Sequence, residues 1–570
     1  MFNKISNLID SSLEKTLPDI VFKNAKIIDV FCLEIIEGDI AVTGDIITGI
    51  GQYAKGKKTI DLNGKFVSPG LIDPHVHIES SLVTPDTFSS VLLEHGVTTI
   101  VTDPHEISNV LGKKGIQYMI DSTENTELDI FIMLPSCIPA TRFESSGAIL
   151  EAEDLKEFYS HPRVLGLAEM MNFPGIINSD EKLLKKISDA KSFNLTVDGH
   201  APGITENELN AYILAGISTD HECETPKEMK IRLQRGMYVF IREGTVARNL
   251  EALIGEINYK NNDLICFCTD DKDLYDLVHE GSIDFSIRKA IKLGLDPLLA
   301  IKLSTINSTK AHGLHDRGAI APGKKADLLI LDDLENFTIS EVYKNGKAVS
   351  KNTVSNTSSI HLEKQKIFLP ENINWDIELE SNKIRAIEIV PNNLYTNEKI
   401  LDVKTDENKK FISDKNLDIT KLFVIERHTR DNNNVGKALL HGLKIKKGAI
   451  ASTIGHDSHN LLVAGYNDDD FNLAVKTIQD INGGLAVVSD GKVLASLSLE
   501  IAGLMTARSI DSVLSDVENL HNALTEIGFD GDFNPFLALA FLSLPVIPKL
   551  KLTDMGLFDV NKFEFVSIEI

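Results

Sequence analysis

The strongest constraint on the fold is a pattern that repeats between residues 66 and 270, in which a short apolar run is followed by a polar loop and a helix-length stretch. Most of these runs are apolar almost without interruption, as expected for parallel strands that are buried on both faces. Eight such units in a row predict an α/β fold of the (β/α)8 barrel type. The predicted strands are residues 66–73, 97–103, 129–135, 163–169, 194–199, 216–220, 237–243 and 264–270.

The alternative architecture is an open, doubly wound sheet, which has the same alternation of strands and helices. Such sheets commonly bind nucleotides through a Gly-rich loop that follows a strand. Neither G-x-G-x-x-G nor G-x-x-x-x-G-K-[ST] follows any of the predicted strands. We therefore rank the open sheet second.

Strand-rich segments lie on both sides of the barrel region, and 570 residues are too many for a single core. Short β-like runs bounded by Gly, Asp or Asn occupy residues 20–66, and the same texture returns near residue 318, with Asn345-Gly346 as a predicted hairpin turn. We predict a small flanking β-sandwich domain formed by both ends of the barrel region, and a separate C-terminal α/β domain. The predicted divisions are 1–66 and 316–360 for the small domain, 67–315 for the barrel and 361–570 for the C-terminal domain.

The charge balance and the cysteine content restrict the partners and the compartment. The chain has 83 acidic and 58 basic side chains, a net charge of −25, which disfavours binding to nucleic acid or to an anionic membrane surface. Five cysteines without a C-x-x-C pair fit a reducing compartment. Neither a signal peptide nor an apolar stretch of the ~18 residues that a membrane span needs is present. We expect a soluble cytoplasmic protein that acts on a small molecule.

Ionisable side chains follow nearly every predicted strand, at the end of the barrel where active sites are built. Each one alone could belong to a solvated loop. Jointly, four histidines and several carboxylates suit a divalent metal that accepts nitrogen and oxygen ligands, such as Zn, Mn or Fe, better than Ca or Mg. His75 and His77, two apart after the first strand, can face the same side of an extended chain. The remaining members of this group are Glu169, His200, His221 and Asp270.

The H-x-H pair after strand 1, single histidines after strands 5 and 6 and an Asp after strand 8 resemble the amidohydrolase superfamily of metal-dependent hydrolases over roughly residues 20–350. The resemblance implies a binuclear centre, with Mn²⁺ favoured and Fe²⁺ or Zn²⁺ as alternatives. Some members of the superfamily carry a carbamylated Lys after strand 4, where this chain has Glu169. The implied ligands are His75, His77 and Asp270 mainly on one ion, His200 and His221 on the other, and Glu169 between them.

Five segments resemble the bacterial adenine deaminase family, and this resemblance extends over almost the whole chain. They are TDPHEI, GLAEMMNFPG, VDGHAPG, STDHE and, in the C-terminal region, IGHDSHN. The resemblance implies hydrolysis of adenine to hypoxanthine and ammonia by a metal-activated hydroxide, as in purine salvage, and a homo-oligomer of two or more chains. Asp270 is then the expected proton shuttle. His221 either assists it or serves only as a metal ligand.

Recognition of a purine requires polar partners for its ring nitrogens. Arg242 and Glu243 could supply them or could form a structural ion pair. His105 and Glu106 could line the pocket or orient the ligand histidines, whereas we expect Asp103 to orient them. The GHDSHN loop is by default a turn, although His456 and His459 could reach the barrel mouth. The candidates for substrate binding are therefore Arg242, Glu243, His105, Glu106, His456 and His459.

Two other functions compete with adenine hydrolysis. A cyclic-amide hydrolase of the dihydroorotase or hydantoinase kind would share the barrel, but Glu169 in place of Lys argues against it. A catalytically silent metal-binding protein would have little use for Asp270 as a free proton acceptor. Another deaminase architecture holds its metal with an H-x-E motif followed by P-C-x-x-C, and this combination is absent, because the only close cysteine pair is Cys266-x-Cys268. Any deamination must therefore use the barrel metals.

Overall fold

The computed structural model describes residues 2–350, 366–370, 372–429 and 434–570. Two predicted boundaries, at residues 360 and 361, lie outside the described residues. Within the described chain, strands and helices alternate through the middle, and strands dominate both flanks.

The β-strands and helices have the following bounds in chain order. The strands are β1 (Ile20–Asp29), β2 (Glu34–Thr43), β3 (Ile46–Gly51), β4 (Lys58–Asp61), β5 (Phe66–Pro69), β6 (Leu71–Val76), β7 (Val97–Thr102), β8 (Asp129–Leu134), β9 (Val164–Met170), β10 (Thr196–Gly199), β11 (Thr219–Asp220), β12 (Tyr238–Arg242), β13 (Ile265–Cys268), β14 (Leu328–Leu331), β15 (Ile339–Lys344), β16 (Lys347–Ala348), β17 (Lys383–Ile389), β18 (Thr396–Asp402), β19 (Ile419–Ile425), β20 (Val435–His441), β21 (Ala449–Ser452), β22 (Leu461–Gly465), β23 (Gly484–Ser489), β24 (Lys492–Ser498), β25 (Leu550–Thr553), β26 (Gly556–Asp559) and β27 (Glu564–Phe565). The α-helices are α1 (Phe2–Ser12), α2 (Pro85–Glu94), α3 (His105–Leu111), α4 (Lys113–Thr123), α5 (Ala152–Leu155), α6 (Phe173–Ile177), α7 (Glu181–Ser192), α8 (Glu206–Ala215), α9 (Pro226–Gln234), α10 (Leu250–Leu253), α11 (Leu274–His279), α12 (Ile283–Lys292), α13 (Pro297–Leu303), α14 (Ile306–Ala311), α15 (Asp468–Asp480), α16 (Ile510–Glu526) and α17 (Pro535–Ala540). Short 3-10 helices span Ile78–Ser81, Ile254–Glu256, Asn262–Leu264 and Phe541–Ser543.

Strands β6 to β13 close into a parallel barrel in sequence order. β6 to β10 form one continuous sheet and β11 to β13 form another. Two joins complete the ring. The Ser218 backbone N–H donates to the Val197 carbonyl (3.0 Å) between β10 and β11, and Val76 and Asp270 form a parallel bridge between β6 and the end of β13. The predicted (β/α)8 barrel is confirmed.

The first predicted strand is wrong in its bounds. Residues 66–73 are not one strand, because the chain changes sheets at Gly70: β5 belongs to the flanking sheet and β6 to the barrel. A Cβ atom at Gly70 would lie 2.3 Å from Oγ1 of Thr98, so only glycine fits at this passage. As a result β6 extends to Val76 and carries His75 within it.

The segments before and after the barrel contribute to a single eight-stranded sheet, in the order β16-β15-β14-β5-β1-β2-β3, with β4 beside β1. β14 pairs antiparallel with β5, and Leu329 lies opposite Ser68. Asn345 and Gly346 connect β15 to β16 with φ values of +52° and +76°, as a tight Asn-Gly hairpin turn requires. The two-layer arrangement of a sandwich stays a prediction.

The C-terminal part is built on a second eight-stranded sheet, in the order β18-β17-β20-β19-β22-β21-β23-β24, followed by the three-stranded sheet β25-β26-β27. Helices cover both faces of the larger sheet. Ala486 and Val488 of β23 pack with α15, and the alternate residues Leu485 and Val487 belong to the same core as α16. Burial on both faces explains why the sequence of β23 is continuously apolar.

The C-terminal part contacts the barrel directly. The Thr506 backbone N–H donates to the Leu82 carbonyl (2.9 Å), and the Asn460 side-chain amide donates to the Ser145 carbonyl (2.8 Å). These bonds bring residues 453–460, between β21 and β22, to the mouth of the barrel. Among the described residues, no helix is long and apolar enough to cross a membrane.

Candidate metal centre and active site

Four histidines and two carboxylates converge at the carboxyl ends of the barrel strands, and all six side chains are buried. They come from different strands, so the parallel barrel itself brings together residues up to 195 positions apart. They are His75 of β6, His77 after β6, Glu169 of β9, His200 after β10, His221 after β11 and Asp270 after β13.

Asp270 faces the two histidines of the first strand. Its Oδ1 lies 3.1 Å from Nε2 of His75 and 3.2 Å from Nε2 of His77. The Asp270 backbone N–H donates to the His75 carbonyl (3.0 Å), and the His77 N–H donates to the Asp270 carbonyl (3.3 Å). Asp270 has a φ of +58°, in the left-handed region that Asp and Asn tolerate better than most residues. The backbone bonds that close the barrel therefore fix the position of Asp270 beside His75 and His77.

Glu169 connects the two parts of the cluster. Its Oε2 lies 2.7 Å from Nδ1 of His200 and 3.1 Å from Nε2 of His221. Its other oxygen, Oε1, lies 3.3 Å from Nε2 of His77. One carboxylate thus reaches both groups of histidines, which is the geometry that a bridge between two ions needs.

The hydrogen bonds of His77 indicate that a cation fits between these groups. Nδ1 of His77 donates to the Asp103 carbonyl (3.0 Å), which can only accept, so the neutral ring turns the lone pair of Nε2 toward Glu169 and Asp270. A lone pair that faces carboxylate oxygens is unfavourable unless a proton or a metal ion lies between them. Nε2 of His200 is likewise buried without a hydrogen-bond partner. The mixed nitrogen and oxygen donors suit Zn, Mn or Fe.

Two aspartates, Asp103 and Asp73, form hydrogen bonds that position residues of the cluster and their neighbours. The Asp103 carboxylate accepts the backbone N–H of His105 (3.0 Å) and lies 3.0 Å from its Nδ1, so Asp103 contacts His77 through its carbonyl and His105 through its side chain. The Asp73 carboxylate accepts the N–H groups of His75 and Thr269, both at 3.3 Å. Asp73 therefore ties the first barrel strand to the last.

Arg242 and Glu243 point in different directions. The Arg242 guanidinium binds both oxygens of Glu222, one of them at 3.0 Å, and Nη1 donates to Oδ2 of Asp270 (3.1 Å). It therefore orients the Asp270 carboxylate. Glu243 does not line the cavity, because its side chain pairs with Lys289 (2.8 Å) and accepts the N–H of Leu250 (3.0 Å).

The GHDSHN loop reaches the barrel and contacts Glu106. Nδ1 of His456 lies 2.5 Å from Oε1 of Glu106, and Nε2 of His459 contacts Oε2. The Gly455 backbone N–H donates to Nδ1 of His459 (3.2 Å), so the neutral ring carries its proton on Nε2, the nitrogen that faces Glu106. Two histidines of the loop therefore contact the Glu106 carboxylate, one at each oxygen.

A cavity lies between the buried cluster and the C-terminal part. His105, Glu106, Arg242 and His456 line it, whereas His459 does not. The ring of Phe541 stacks on His456 at 4.3 Å between centroids, with 19° between the planes. Apolar side chains form a further wall of this cavity: Met171 from the barrel, beside Glu169, and Leu394, Phe541, Leu544 and Ile547 from the C-terminal part.

The sequence patterns did not single out several residues of this site. Glu222, Asp271 and Asp457 line the cavity but were not among the predicted site residues, although they follow predicted strands or lie in the GHDSHN loop, next to His221, Asp270 and His456. Most of the apolar wall had no local signal, because Leu394, Phe541, Leu544 and Ile547 are far from the barrel in sequence, and only Met171 lies near a predicted residue.

Known proteins match both parts of the chain. The amidohydrolase family model matches residues 66–349, and the adenine deaminase C-terminal domain model matches residues 393–564. An adenine deaminase of Geobacillus kaustophilus is 47% identical over 579 aligned residues, which cover 100% of both chains. The chain belongs to the adenine deaminase family.

Other members of the adenine deaminase family and one solved structure give further matches. The adenine deaminase of Clostridium acetobutylicum is 44% identical and covers 98% of this chain and 100% of its own. The crystal structure of enamidase, from the amidohydrolase superfamily, matches with a TM-score of 0.46 and 20% identity, over 58% of this chain and 95% of that one. The amidohydrolase family is metal-dependent, and the buried His, Asp and Glu cluster could bind metal.

Proposed function

We propose that this chain hydrolyses adenine to hypoxanthine and ammonia. The observation that carries the proposal is that residues matching the adenine deaminase C-terminal domain form most of the apolar wall of the cavity beside the buried cluster. Full-length relatives named adenine deaminase support it. Neither a cyclic-amide hydrolase nor a silent metal-binding protein has comparable support.

The proposed metal centre is binuclear, and Mn²⁺ is favoured over Fe²⁺ or Zn²⁺. His75, His77 and Asp270 would hold one ion, His200 and His221 the other, and Glu169 would bridge them. The distances between Glu169 and the histidines of both groups support this division. A bound divalent ion supplies a water whose pKa is lowered toward ~7.

Adenine matches the two-sided character of the cavity. Its ring faces are apolar and its edges carry hydrogen-bonding nitrogens, so the ring would lie against Leu394, Phe541 and their neighbours, with an edge toward Glu106 and His456. Arg242 is committed to Glu222 and Asp270, so its proposed role is to orient Asp270 rather than to contact the base.

Asp270 is the proposed proton carrier. Arg242 holds one oxygen of Asp270, and the other faces the histidines of the centre. Asp270 accepts a proton from the attacking water and delivers it toward the purine, because ammonia leaves far more readily than an amide anion. His221 would assist this transfer or serve only as a ligand.

Several expectations about the biological setting belong to the same proposal. We expect a homo-oligomer in the cytoplasm that acts in purine salvage, without nucleic-acid or membrane partners. The division at residues 1–66, 67–315, 316–360 and 361–570 is also proposed.

Metal reconstitution tests the proposed reaction. We expect metal-free protein to be inactive and protein loaded with Mn²⁺, Fe²⁺ or Zn²⁺ to consume adenine, with equal amounts of hypoxanthine and ammonia formed. Adenine absorbance and an ammonia assay measure this. Turnover of hydantoin or dihydroorotate without loss of adenine would indicate the cyclic-amide hydrolase instead, and metal binding without any turnover would indicate a silent protein.

Glu106→Gln tests the polar side of the cavity. We expect the KM for adenine to rise by roughly 10-fold, because a buried hydrogen-bonding group that contacts the ligand is changed. The matched control is Glu144→Gln. Glu144 is also buried and accepts the hydroxyl of Ser458 in the same loop (2.7 Å), but it lies outside the cavity.

The control should leave KM unchanged for a chemical reason. Burial and the nearby Asp457 charge raise the pKa of Glu144 to about 8, so an amide resembles the protonated side chain near pH 7. Steady-state kinetics compare the two variants. Equal KM values for Glu106→Gln and the wild type would remove Glu106 from substrate binding.

A further inference from the structure

A buried lysine of the C-terminal part lacks the carboxylate partner that such residues normally have. Lys551 of β25 is 0% exposed, and its Nζ donates to the Leu394 carbonyl (2.8 Å) and the Phe541 carbonyl (3.0 Å). Among the described residues, no carboxylate lies within 4.0 Å of this amine. Burial lowers the pKa of Lys551 to about 7. An uncompensated buried amine is costly, which calls for an explanation.

The two carbonyls belong to residues of the apolar cavity wall. Leu394 lies in the turn between β17 and β18, and Phe541 begins the 3-10 helix after α17. The two segments are about 150 residues apart in sequence, and their side chains pack in one cluster with Leu544 and Ile547. Lys551 is therefore a hydrogen-bonded link between two separate segments of the wall.

The link continues to the polar side of the cavity. Phe541 stacks on His456, and His456 contacts Glu106. A displacement of the Phe541 backbone would therefore move both the apolar wall and the ring that touches Glu106. A methionine at position 551 would fill most of the same space but leave two carbonyls without their donor.

We propose that Lys551 is a positioning residue for the substrate: it fixes the apolar wall of the cavity by holding the Leu394 and Phe541 carbonyls together. It does not touch the reacting atoms. The inference rests on the proposed adenine hydrolysis and adds that a residue of the C-terminal part, which does not itself line the cavity, sets the affinity for the purine.

Lys551→Met tests the proposal, because methionine has a similar shape and no donor. We expect the KM for adenine to rise by roughly 10-fold, with a smaller change in kcat and an unchanged metal content. A merely structural role would lower the amount of active protein and leave KM unchanged. A wild-type KM in folded Lys551→Met protein overturns the proposal.

The matched control is Lys549→Met. Lys549 lies two residues earlier, and its amine pairs with Glu398 (2.6 Å) on a side chain that is 38% exposed. The substitution removes the same charge from the same segment without touching the cavity wall, so KM should stay at the wild-type value. An equal rise in KM in both variants would assign the effect to charge and overturn the proposal.

Two further measurements keep the proposal testable. If Lys551→Met does not fold, Lys551→Gln replaces it: the Gln amide is one bond shorter and cannot hold both carbonyls, so KM should still rise. Amide hydrogen exchange needs no substrate, and it should become faster at residues 390–396 and 535–547 in the variant. Unchanged exchange in both segments rejects the role of Lys551, whereas an inactive wild type rejects only the proposed function.

Discussion

Asp270→Asn should retain most of the bound metal and lose about 10²–10⁴-fold in kcat, the range that a positioned proton-transfer group contributes. The substitution isolates the carboxylate, because Asn tolerates the left-handed backbone that Asp270 adopts, at a φ of +58°. The amide can still accept a hydrogen bond from Arg242 but is a very poor base. Metal analysis together with steady-state kinetics measures both quantities.

Asp276→Asn is the control for this experiment. Asp276 lies on the same rim of the barrel and pairs with Arg248 (2.9 Å), but it does not line the cavity above the metal cluster. The kcat of the Asp276→Asn variant should remain within about 2-fold of the wild-type value, because the loss of a partly exposed ion pair has a small effect. Wild-type kcat in Asp270→Asn would remove Asp270 from the reaction. Loss of metal in that variant would show that Asp270 acts mainly as a ligand.

Glu169→Gln should lower the metal content from two ions per chain to one or fewer. The carboxylate has two acceptor oxygens, one near His77 and the other near His200 and His221. The amide of Gln has only one oxygen, so it can offer an acceptor to one of these two groups but not to both. The loss of activity at limiting metal should exceed the roughly 10–100-fold typical of residues that contact only the ligands.

Glu222→Gln is the matched variant for Glu169→Gln. Glu222 is also buried and lies 3.3 Å from His200 and 3.5 Å from His221, but Arg242 binds both of its oxygens. We expect it to keep two ions per chain with a smaller loss of activity. Two ions and wild-type activity in Glu169→Gln would be incompatible with a bridging carboxylate.

The sequence was informative wherever a residue's role depends on its own strand. The eight barrel strands were predicted from their apolar runs, although the first was wrong: Pro69-Gly70 can mark a break, but the pair alone does not show that the chain changes sheets there. His75, His77 and Asp270 were predicted to lie together because parallel strands end at the same rim. Their roles as ligands stay predictions.

What the sequence could not supply depends on contacts between distant segments. The orientation of Glu243 toward Lys289 is set by α12, which no strand pattern describes. The contacts of His456 and His459 with Glu106 depend on how the C-terminal part packs against the barrel. Lys551 has an ordinary sequence context, and only its packing shows that it is buried without a charged partner.

The seam of the barrel has a consequence for the order of assembly. The backbone bonds that join β6 to the end of β13 are made by His75, His77 and Asp270 themselves. Closing the barrel therefore also brings these three side chains together. An ion bound to them would connect the first barrel strand to the last. If these donors hold an ion, its removal should loosen this seam, and a chain that ends before residue 270 would have neither the seam nor Asp270.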